Sequence, residues 1–144
     1  VISGQTAILE QALEAARERG AKRAIRLAVS IAAHSPLMAD AAERFRRCLQ
    51  DAPLREPSVP VVVNALARPL TDPAAIREAL GRQLTSPVRW TESVEWMLAQ
   101  GVDRFVEIGP KKVLTNLLRR IDRSAEALTT ADLLVERPLS PPSR

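Results

Sequence analysis

The fold class is indicated most clearly by residues 102–121, which read VDRFVEIGPKKVLTNLLRRI. The apolar and β-branched residues at the start of this stretch predict a buried strand over Val102–Ile108. Gly109 and Pro110 then turn the chain sharply into a helix predicted over Val113–Ile121, whose first backbone amides can face an anionic group. A strand that leads directly into a helix is the unit from which α/β proteins with parallel strands are built.

The same alternation of strands and helices continues toward the N-terminus. Strands are predicted over Ala24–Val29 and Val59–Val63 from their apolar, β-branched residues. Apolar residues at helical spacing predict four more helices: Thr6–Gly20, one that starts at Ser35-Pro36 and continues to Leu49, Asp72–Leu84 and Arg89–Gln100. Two of these helices open on a capping side chain followed by proline, which suits a helix start. The pattern predicts an α/β layer structure.

Composition narrows the class of protein. The 144 residues are 46% hydrophobic and 26% charged, which is typical of one globular domain. No apolar run approaches the roughly 20 residues that a membrane span needs, and no signal-peptide pattern opens the chain. Because Cys48 is the single cysteine, no internal disulfide and no cysteine-built zinc site are expected. These features favour a cytoplasmic protein with no membrane partner.

The charge pattern bears on the kind of partner. The formal net charge is +4, and the basic residues stand in small groups near Lys22, Arg44, Lys111 and Arg119, mixed with acidic residues. Such groups are typical of solvated helix faces, and they can also attract an acidic protein. With two Trp, two Phe and no Tyr, the chain lacks the aromatic residues on which single-stranded nucleic acid stacks, so no nucleic-acid partner is expected.

The only histidine, His34, lies in the predicted strand-to-helix junction between Val29 and Met38. Imidazole is the side chain best suited to move a proton near neutral pH, and ligand sites of open α/β sheets gather at strand ends. On the residues alone, a capping or packing role for His34 remains open beside a catalytic one. The adjacent Ser35 could be considered as a nucleophile, but neighbouring side chains rarely point at each other. A helix-capping role explains Ser35 without chemistry.

Six short segments stand in a fixed order and spacing along the chain: GAKRA (20–24), VS (29–30), HSPLM (34–38), PVVVN (60–64), RQLTSPVRW (82–90) and EIGPKKVL (107–114). Together they resemble malonyl-CoA:acyl-carrier-protein transacylase and, more distantly, the acyltransferase domains of polyketide and fatty-acid synthases. The resemblance covers roughly residues 1–123.

This resemblance implies an α/β fold, the C-terminal part of an α/β-hydrolase-like acyltransferase core with the end of a ferredoxin-like small subdomain. We accordingly assign residues 1–30 to the small subdomain, 31–124 to the catalytic core and 125–144 to a tail that is expected to be flexible. The family needs neither metal nor bound cofactor: its substrate is a coenzyme A thioester, and its partner carries the phosphopantetheine.

The implied activity is transfer of a malonyl-type acyl group from malonyl-CoA to the phosphopantetheine thiol of acyl carrier protein, in fatty-acid or polyketide synthesis. His34 matches the family's base, which takes the proton of a serine nucleophile. Gln83 matches the residue whose backbone carbonyl accepts a hydrogen bond from the histidine Nδ1–H. Ala33, where relatives often carry Phe or Ser, and Asn64 are assigned to the substrate site, and the small Ala33 leaves strict malonyl specificity open.

Several parts of the family's site have no match in these 144 residues. The Gly-x-Ser-x-Gly nucleophile elbow, the glutamine loop and the arginine that binds the malonyl carboxylate do not occur. We therefore expect this chain to supply the histidine half of a Ser-His dyad and to need the N-terminal half of the same enzyme as a partner. The alternative is a non-catalytic acyltransferase-like fragment that docks carrier protein or a partner chain.

Lys111 replaces a family glycine, and a positive φ there would cost about 1 kcal/mol.

Overall fold

The computed structural model describes residues 1–136, which form two compact units that meet in sequence at Arg89 and Trp90. The first unit contains α1 (Thr6–Glu18), a 3₁₀ turn (Pro36–Met38), α2 (Ala39–Gln50), β1 (Val61–Val63), β2 (Arg68–Leu70) and α3 (Pro73–Arg82). The second contains α4 (Trp90–Ala99), β3 (Arg104–Glu107), α5 (Val113–Ile121), β4 (Glu126–Thr129) and α6 (Thr130–Glu136). The mixture of helices and strands agrees with the predicted α/β class.

Local sequence signals set the ends of the helices in the first unit. Helix α1 is followed by Gly20 at φ 83°, a left-handed conformation that favours glycine. The Ser35 hydroxyl accepts from the Leu37 amide at 3.3 Å and so caps the 3₁₀ turn that leads into α2. Asp72 caps α3 by accepting from the Ala75 amide at 2.7 Å. The predicted helices are confirmed here to within a few residues.

Helices α2 and α3 pack against each other and form the core of the first unit. Ala42 and Leu49 of α2 and Ala79 of α3 are buried. Gly81 lies directly under the Arg46 side chain, since a Cβ at this position would come within 2.9 Å of the Arg46 Cγ. Glycine therefore lets the two helices approach closely.

The strand predicted over Val59–Val63 differs from the structure in length and in pairing. Only Val61–Val63 forms β1, and it pairs antiparallel with β2 in a hairpin, with Val61 opposite Leu70. Val59 and Val61 are exposed, so the prediction of a buried strand was wrong for most of it. A two-stranded hairpin covers only one face, which leaves alternate side chains in solvent.

The strand predicted over Ala24–Val29 is absent. These residues are not paired with any strand in residues 1–136, and Ile25, Leu27 and Val29 are all exposed. The alternating apolar pattern is real, but a strand also needs a neighbour for its backbone hydrogen bonds, and the described chain supplies none. The prediction of a strand was wrong because strand formation depends on a neighbour that the local sequence pattern does not reveal.

In the second unit the predicted turn and helix are confirmed, and the predicted strand is present but shorter, over Arg104–Glu107. The prediction that this strand is buried was wrong, because Val102, Val106 and Ile108 are exposed. Strand β3 runs parallel to β4, with Arg104 opposite Glu126 and Glu107 opposite Thr129, and α5 packs on both strands. Val94 of α4 and Leu118 of α5 are buried apolar residues of this unit. The turn keeps Gly109 at φ 151°, whereas Lys111 does not have a positive φ, so the strain considered for that lysine does not arise.

The prediction of a flexible tail over 125–144 was wrong for residues 126–136. Residues 126–136 form β4 and α6, because β4 supplies a strand partner for one edge of β3. The rest of the predicted tail, 137–144, lies outside the described residues.

Within residues 1–136, no helix combines the length and the apolar character that a bilayer crossing requires.

Candidate active site

The His34 ring lies against the C-terminal end of α3. Its Nδ1 atom is 3.0 Å from the carbonyl oxygen of Gln83 and 3.1 Å from that of Ser86. Carbonyl oxygens only accept hydrogen bonds, so Nδ1 carries the proton and donates to both. The Nε2 atom is then the unprotonated nitrogen of the neutral ring, which is the form that a general base requires.

Gln83 is the C-cap of α3, and Ser86 lies in the turn that follows the helix. The last carbonyls of a helix have no intrahelical donors, and Pro87 prevents the helix from continuing. The Thr85 and Ser86 amides both bond back to the carbonyl of Arg82, which tightens the last turn and leaves the Gln83 and Ser86 carbonyls directed at His34. The helix end thus supplies the imidazole with two fixed acceptors.

The His34 backbone has an unusual conformation. Its φ is 63°, in the left-handed region that residues other than glycine rarely adopt. The His34 amide donates to the carbonyl of Leu84 at 3.0 Å, so both backbone and ring are attached to the residues that follow α3. Non-glycine residues in such conformations cluster at functional sites.

The other predicted site residues lie in the first unit as well. Ala33 precedes the histidine, is half-buried, and its carbonyl accepts from the Ser3 hydroxyl at 2.6 Å. Asn64 follows β1, and its carbonyl accepts from the Arg89 amide at 2.9 Å, which ties the hairpin turn to the loop that carries Ser86. The contact between His34 and Gln83 is present as expected, while substrate binding by Ala33 and Asn64 stays a prediction.

Sequence reasoning missed the second acceptor on His34, the carbonyl of Ser86. The signal was available in Ser86-Pro87, since a proline after a helix leaves the preceding carbonyls without helical donors. Ser3 was missed too, because its contact with Ala33 joins residues 30 positions apart and depends on the tertiary fold.

The anionic group expected at the start of α5 is a side chain of the same unit. Glu107 accepts from the Val113, Leu114 and Thr115 amides at 2.9–3.1 Å and from the Thr115 hydroxyl at 2.8 Å. The hydrogen bond from the Thr115 amide, followed by the Thr115 hydroxyl and the other two amides, holds the pKa of the Glu107 carboxyl below its ordinary value of 4.5. The α5 N-terminus is therefore occupied.

The arginines beside the site make internal contacts. A groove of about 310 Å³ between α2 and α3 is lined by three of them, Arg46, Arg77 and Arg82. Arg46 bonds the Gly81 carbonyl and Glu43, Arg77 bonds the Gln50 and Ala52 carbonyls, and Arg82 pairs with Glu78. The bonds to the Gly81, Gln50 and Ala52 carbonyls join α2 and the residues after it to α3, whereas the pairs with Glu43 and Glu78 each lie within one helix. Among residues 1–136 no three His, Cys, Asp or Glu side chains converge in a way that could hold a metal ion.

Comparisons with known proteins show which family the chain matches. The family described as acyl transferase domain matches residues 1–136. The malonyl CoA-acyl carrier protein transacylase of Bacillus subtilis is 44% identical over 132 residues, which are 92% of this chain and 42% of that protein. The chain thus spans less than half the length of this relative.

Solved structures of acyl carrier protein malonyltransferases are also similar to this chain. A crystal structure of an acyl carrier protein S-malonyltransferase from Vibrio cholerae matches with a TM-score of 0.86 and 43% identity, over 93% of this chain and 45% of that one. A malonyl-transacylase in complex with a type II PKS acyl-carrier protein matches with a TM-score of 0.83 and 41% identity, over 92% and 44%. On the family match, the identity and the shared fold, the chain belongs to the acyl transferase family.

Proposed function

We propose that this chain supplies the histidine half of an enzyme that transfers a malonyl-type acyl group from coenzyme A to the phosphopantetheine thiol of an acyl carrier protein. The observation that carries the proposal is the double hydrogen bond from His34 Nδ1 to the carbonyls of Gln83 and Ser86, which leaves Nε2 free to take a proton. The names of the relatives supply the substrate and the partner.

In the first half-reaction, Nε2 of His34 takes the proton of a serine hydroxyl from the Gly-x-Ser-x-Gly elbow of the N-terminal half. The serine oxygen attacks the thioester carbonyl, and the carbon–sulfur bond breaks as the acyl-serine ester forms. The departing coenzyme A thiolate receives the proton from Nε2. His34 is thus returned to its neutral form.

In the second half-reaction, Nε2 takes the proton of the carrier protein's phosphopantetheine thiol. The thiolate attacks the acyl-serine ester, the carbon–oxygen bond breaks, and the serine oxygen recovers its proton from His34. Both half-reactions need the ring held in one tautomer and orientation, which is the task of the Gln83 and Ser86 carbonyls.

These carbonyls stand where many Ser-His enzymes place a carboxylate. A backbone carbonyl orients the ring as a carboxylate does but carries no full charge. We infer that the residues at the end of α3 orient His34 during each proton transfer.

The carrier protein is the partner we propose for the basic groups of the surface. Lys22 and Arg119 are exposed, and the chain carries a net charge of +4, which complements an acidic protein. Ala33 precedes His34 and is small, so we infer that the specificity for malonyl is not strict.

Mass spectrometry after incubation with malonyl-CoA tests the proposal. This chain co-expressed with a segment that carries the serine elbow should gain one malonyl group on the elbow serine. The same complex with His34→Ala should gain it far more slowly, and this chain alone should gain none. Acylation at the wild-type rate in the His34→Ala complex would overturn the proposal.

The alternative is a non-catalytic fragment that docks carrier protein or a partner chain, and the absence of the Gly-x-Ser-x-Gly motif from the 144 residues favours it for the chain in isolation. The same experiment separates the two. A co-expressed complex that binds carrier protein and never forms an acyl-enzyme would support the docking function.

A further inference from the structure

The Ser35 hydroxyl holds together the turn that contains His34. It donates to the carbonyl of Ala32 at 2.7 Å and accepts from the amide of Leu37 at 3.3 Å. These two contacts lie on opposite sides of His34 in sequence, so a single hydroxyl joins the chain before the histidine to the chain after it. Ser35 is only 5% exposed, and water has little access to replace these bonds.

The conformation that the hydroxyl braces is the left-handed one of His34, at φ 63°. A non-glycine residue keeps such a conformation only where its surroundings determine it. The Leu84 carbonyl holds the His34 amide from one side, and the Ser35 bridge closes the turn from the other. If the turn relaxed to an ordinary φ, the Cα–Cβ bond would swing and carry Nδ1 away from both of its carbonyl partners.

We propose that Ser35 is a positioning residue for the proton transfer, acting through His34. Its hydroxyl keeps the His34 backbone left-handed and thereby keeps Nδ1 on the Gln83 and Ser86 carbonyls. The inference rests on the proposed role of His34 as general base. A cap for the 3₁₀ turn alone would need only the bond from Leu37, whereas the shorter bond, to Ala32, runs back across the histidine.

The test is made on this chain in complex with the co-expressed serine-elbow segment. Ser35→Ala removes the bridge and should lower kcat roughly ten- to a hundredfold, as small misplacements of catalytic groups do. The KM for malonyl-CoA should stay within about twofold, because Ser35 contributes no substrate contact in this proposal. Ser35→Thr keeps a hydroxyl and should restore most of the rate.

A spectroscopic signature separates positioning from simple stability. His34 is the only histidine of this chain, and its ¹⁵N resonances, assigned by their loss in His34→Asn, should show the Nδ1–H tautomer in the wild type. Ser35→Ala should shift the ring toward a mixture of tautomers. Ser124→Ala, which removes a hydroxyl bonded to Asp122 at 2.6 Å, is the matched control and should change neither the tautomer nor kcat.

Each outcome decides one claim. An Ser35→Ala complex that is folded by circular dichroism and keeps both kcat and the Nδ1–H signature would overturn the positioning role, and so would a loss of kcat with the signature unchanged. A changed signature with unchanged kcat would support the role of Ser35 and overturn that of His34 as base. If Ser35→Thr does not fold, the spectrum of Ser35→Ala alone decides.

Discussion

Glu107 accepts two hydrogen bonds from Thr115, one from its backbone amide at 2.9 Å and one from its hydroxyl at 2.8 Å. A carboxylate at the end of β3 thereby closes the start of α5, where unsatisfied amides and the positive end of the helix dipole favour negative charge. The contact joins a strand to the helix that follows it and stabilises the turn between them. It also makes the second unit sensitive to protonation of one carboxyl group.

Stability of the second unit should fall at acid pH through Glu107. The pKa of this carboxyl is lowered in the folded state, chiefly by the Thr115 amide, so the unfolded state binds the proton more tightly. The stabilisation is complete above the unfolded value, near 4.5, and is lost as the pH falls through the lower folded value. Urea unfolding at a series of pH values should show a steeper acid loss in the wild type than in Glu107→Gln.

Glu107→Gln should also lower the melting temperature at neutral pH, because an amide lacks the charge that suits the α5 N-terminus. Glu126→Gln is a suitable control, since it removes a carboxylate whose partner, Arg104, is exposed, and such pairs contribute little. Equal melting temperatures for Glu107→Gln and the wild type would show that the negative charge of Glu107 does not stabilise the α5 N-terminus.

His34→Ala in the complete enzyme should reduce the rate of malonyl transfer by orders of magnitude, because Nε2 of His34 is the base that we propose for the serine proton. Folding should be intact, since the ring is only half-buried. Steady-state transfer to carrier protein and circular dichroism measure the two effects. Turnover near the wild-type rate would remove His34 from the mechanism.

Gln83→Ala should be mild, with transfer reduced by less than about threefold, because the contact to His34 uses the backbone carbonyl that every residue has. The pair of variants, His34→Ala and Gln83→Ala, therefore separates a catalytic side chain from a main-chain contact. A loss in Gln83→Ala comparable to that in His34→Ala would mean that the glutamine side chain itself takes part.

Asp72→Ala should destabilise the first unit by about 1 kcal/mol, the usual effect of removing a helix N-cap. Urea unfolding measures the change. Asp72→Asn, whose amide oxygen can still accept from Ala75, should retain most of the stability. If the two variants were equally unstable, the charge of Asp72 rather than its capping bond would be responsible.

The parts of the fold that sequence predicted well are those with local causes. Asp72-Pro73 and Gly109-Pro110 mark α3 and α5 because capping, proline geometry and tight turns act within a few residues. The contact between His34 and Gln83 was expected from the resemblance to a family, since nothing in the spacing of 49 residues brings them together.

The parts that sequence did not predict depend on distant partners. The pattern at Ala24–Val29 is that of a strand, but pairing is a tertiary event and the described residues provide no neighbour. Glu126–Thr129 has little strand character by itself and forms β4 because β3 lies beside it. The Ser86 carbonyl likewise became visible as a partner of His34 only in the folded chain.

The unpaired apolar segment carries the last prediction. Ile25, Leu27, Val29 and Ile31 alternate along it and are each more than half exposed, at 53%, 51%, 60% and 58%. The segment is not an extended strand, since it bends at Ala28, where the Val29 amide donates to the Leu27 carbonyl at 2.9 Å. Four exposed apolar side chains on a segment without a strand partner in residues 1–136 promote association with other chains.

The 144-residue chain alone should therefore associate or aggregate, and co-expression with a segment that carries the serine elbow should give a soluble complex. Size-exclusion chromatography with light scattering, over a range of concentrations, measures both. Leu27→Lys should reduce association of the isolated chain because a charge among the exposed apolar side chains opposes their burial against another chain. Ile8→Lys, at a comparably exposed position on α1, should have a smaller effect because a helix satisfies its own backbone hydrogen bonds. A monomeric isolated chain that unfolds cooperatively and transfers malonyl groups would contradict the prediction, and the nucleophile would then have to be one of its own serines.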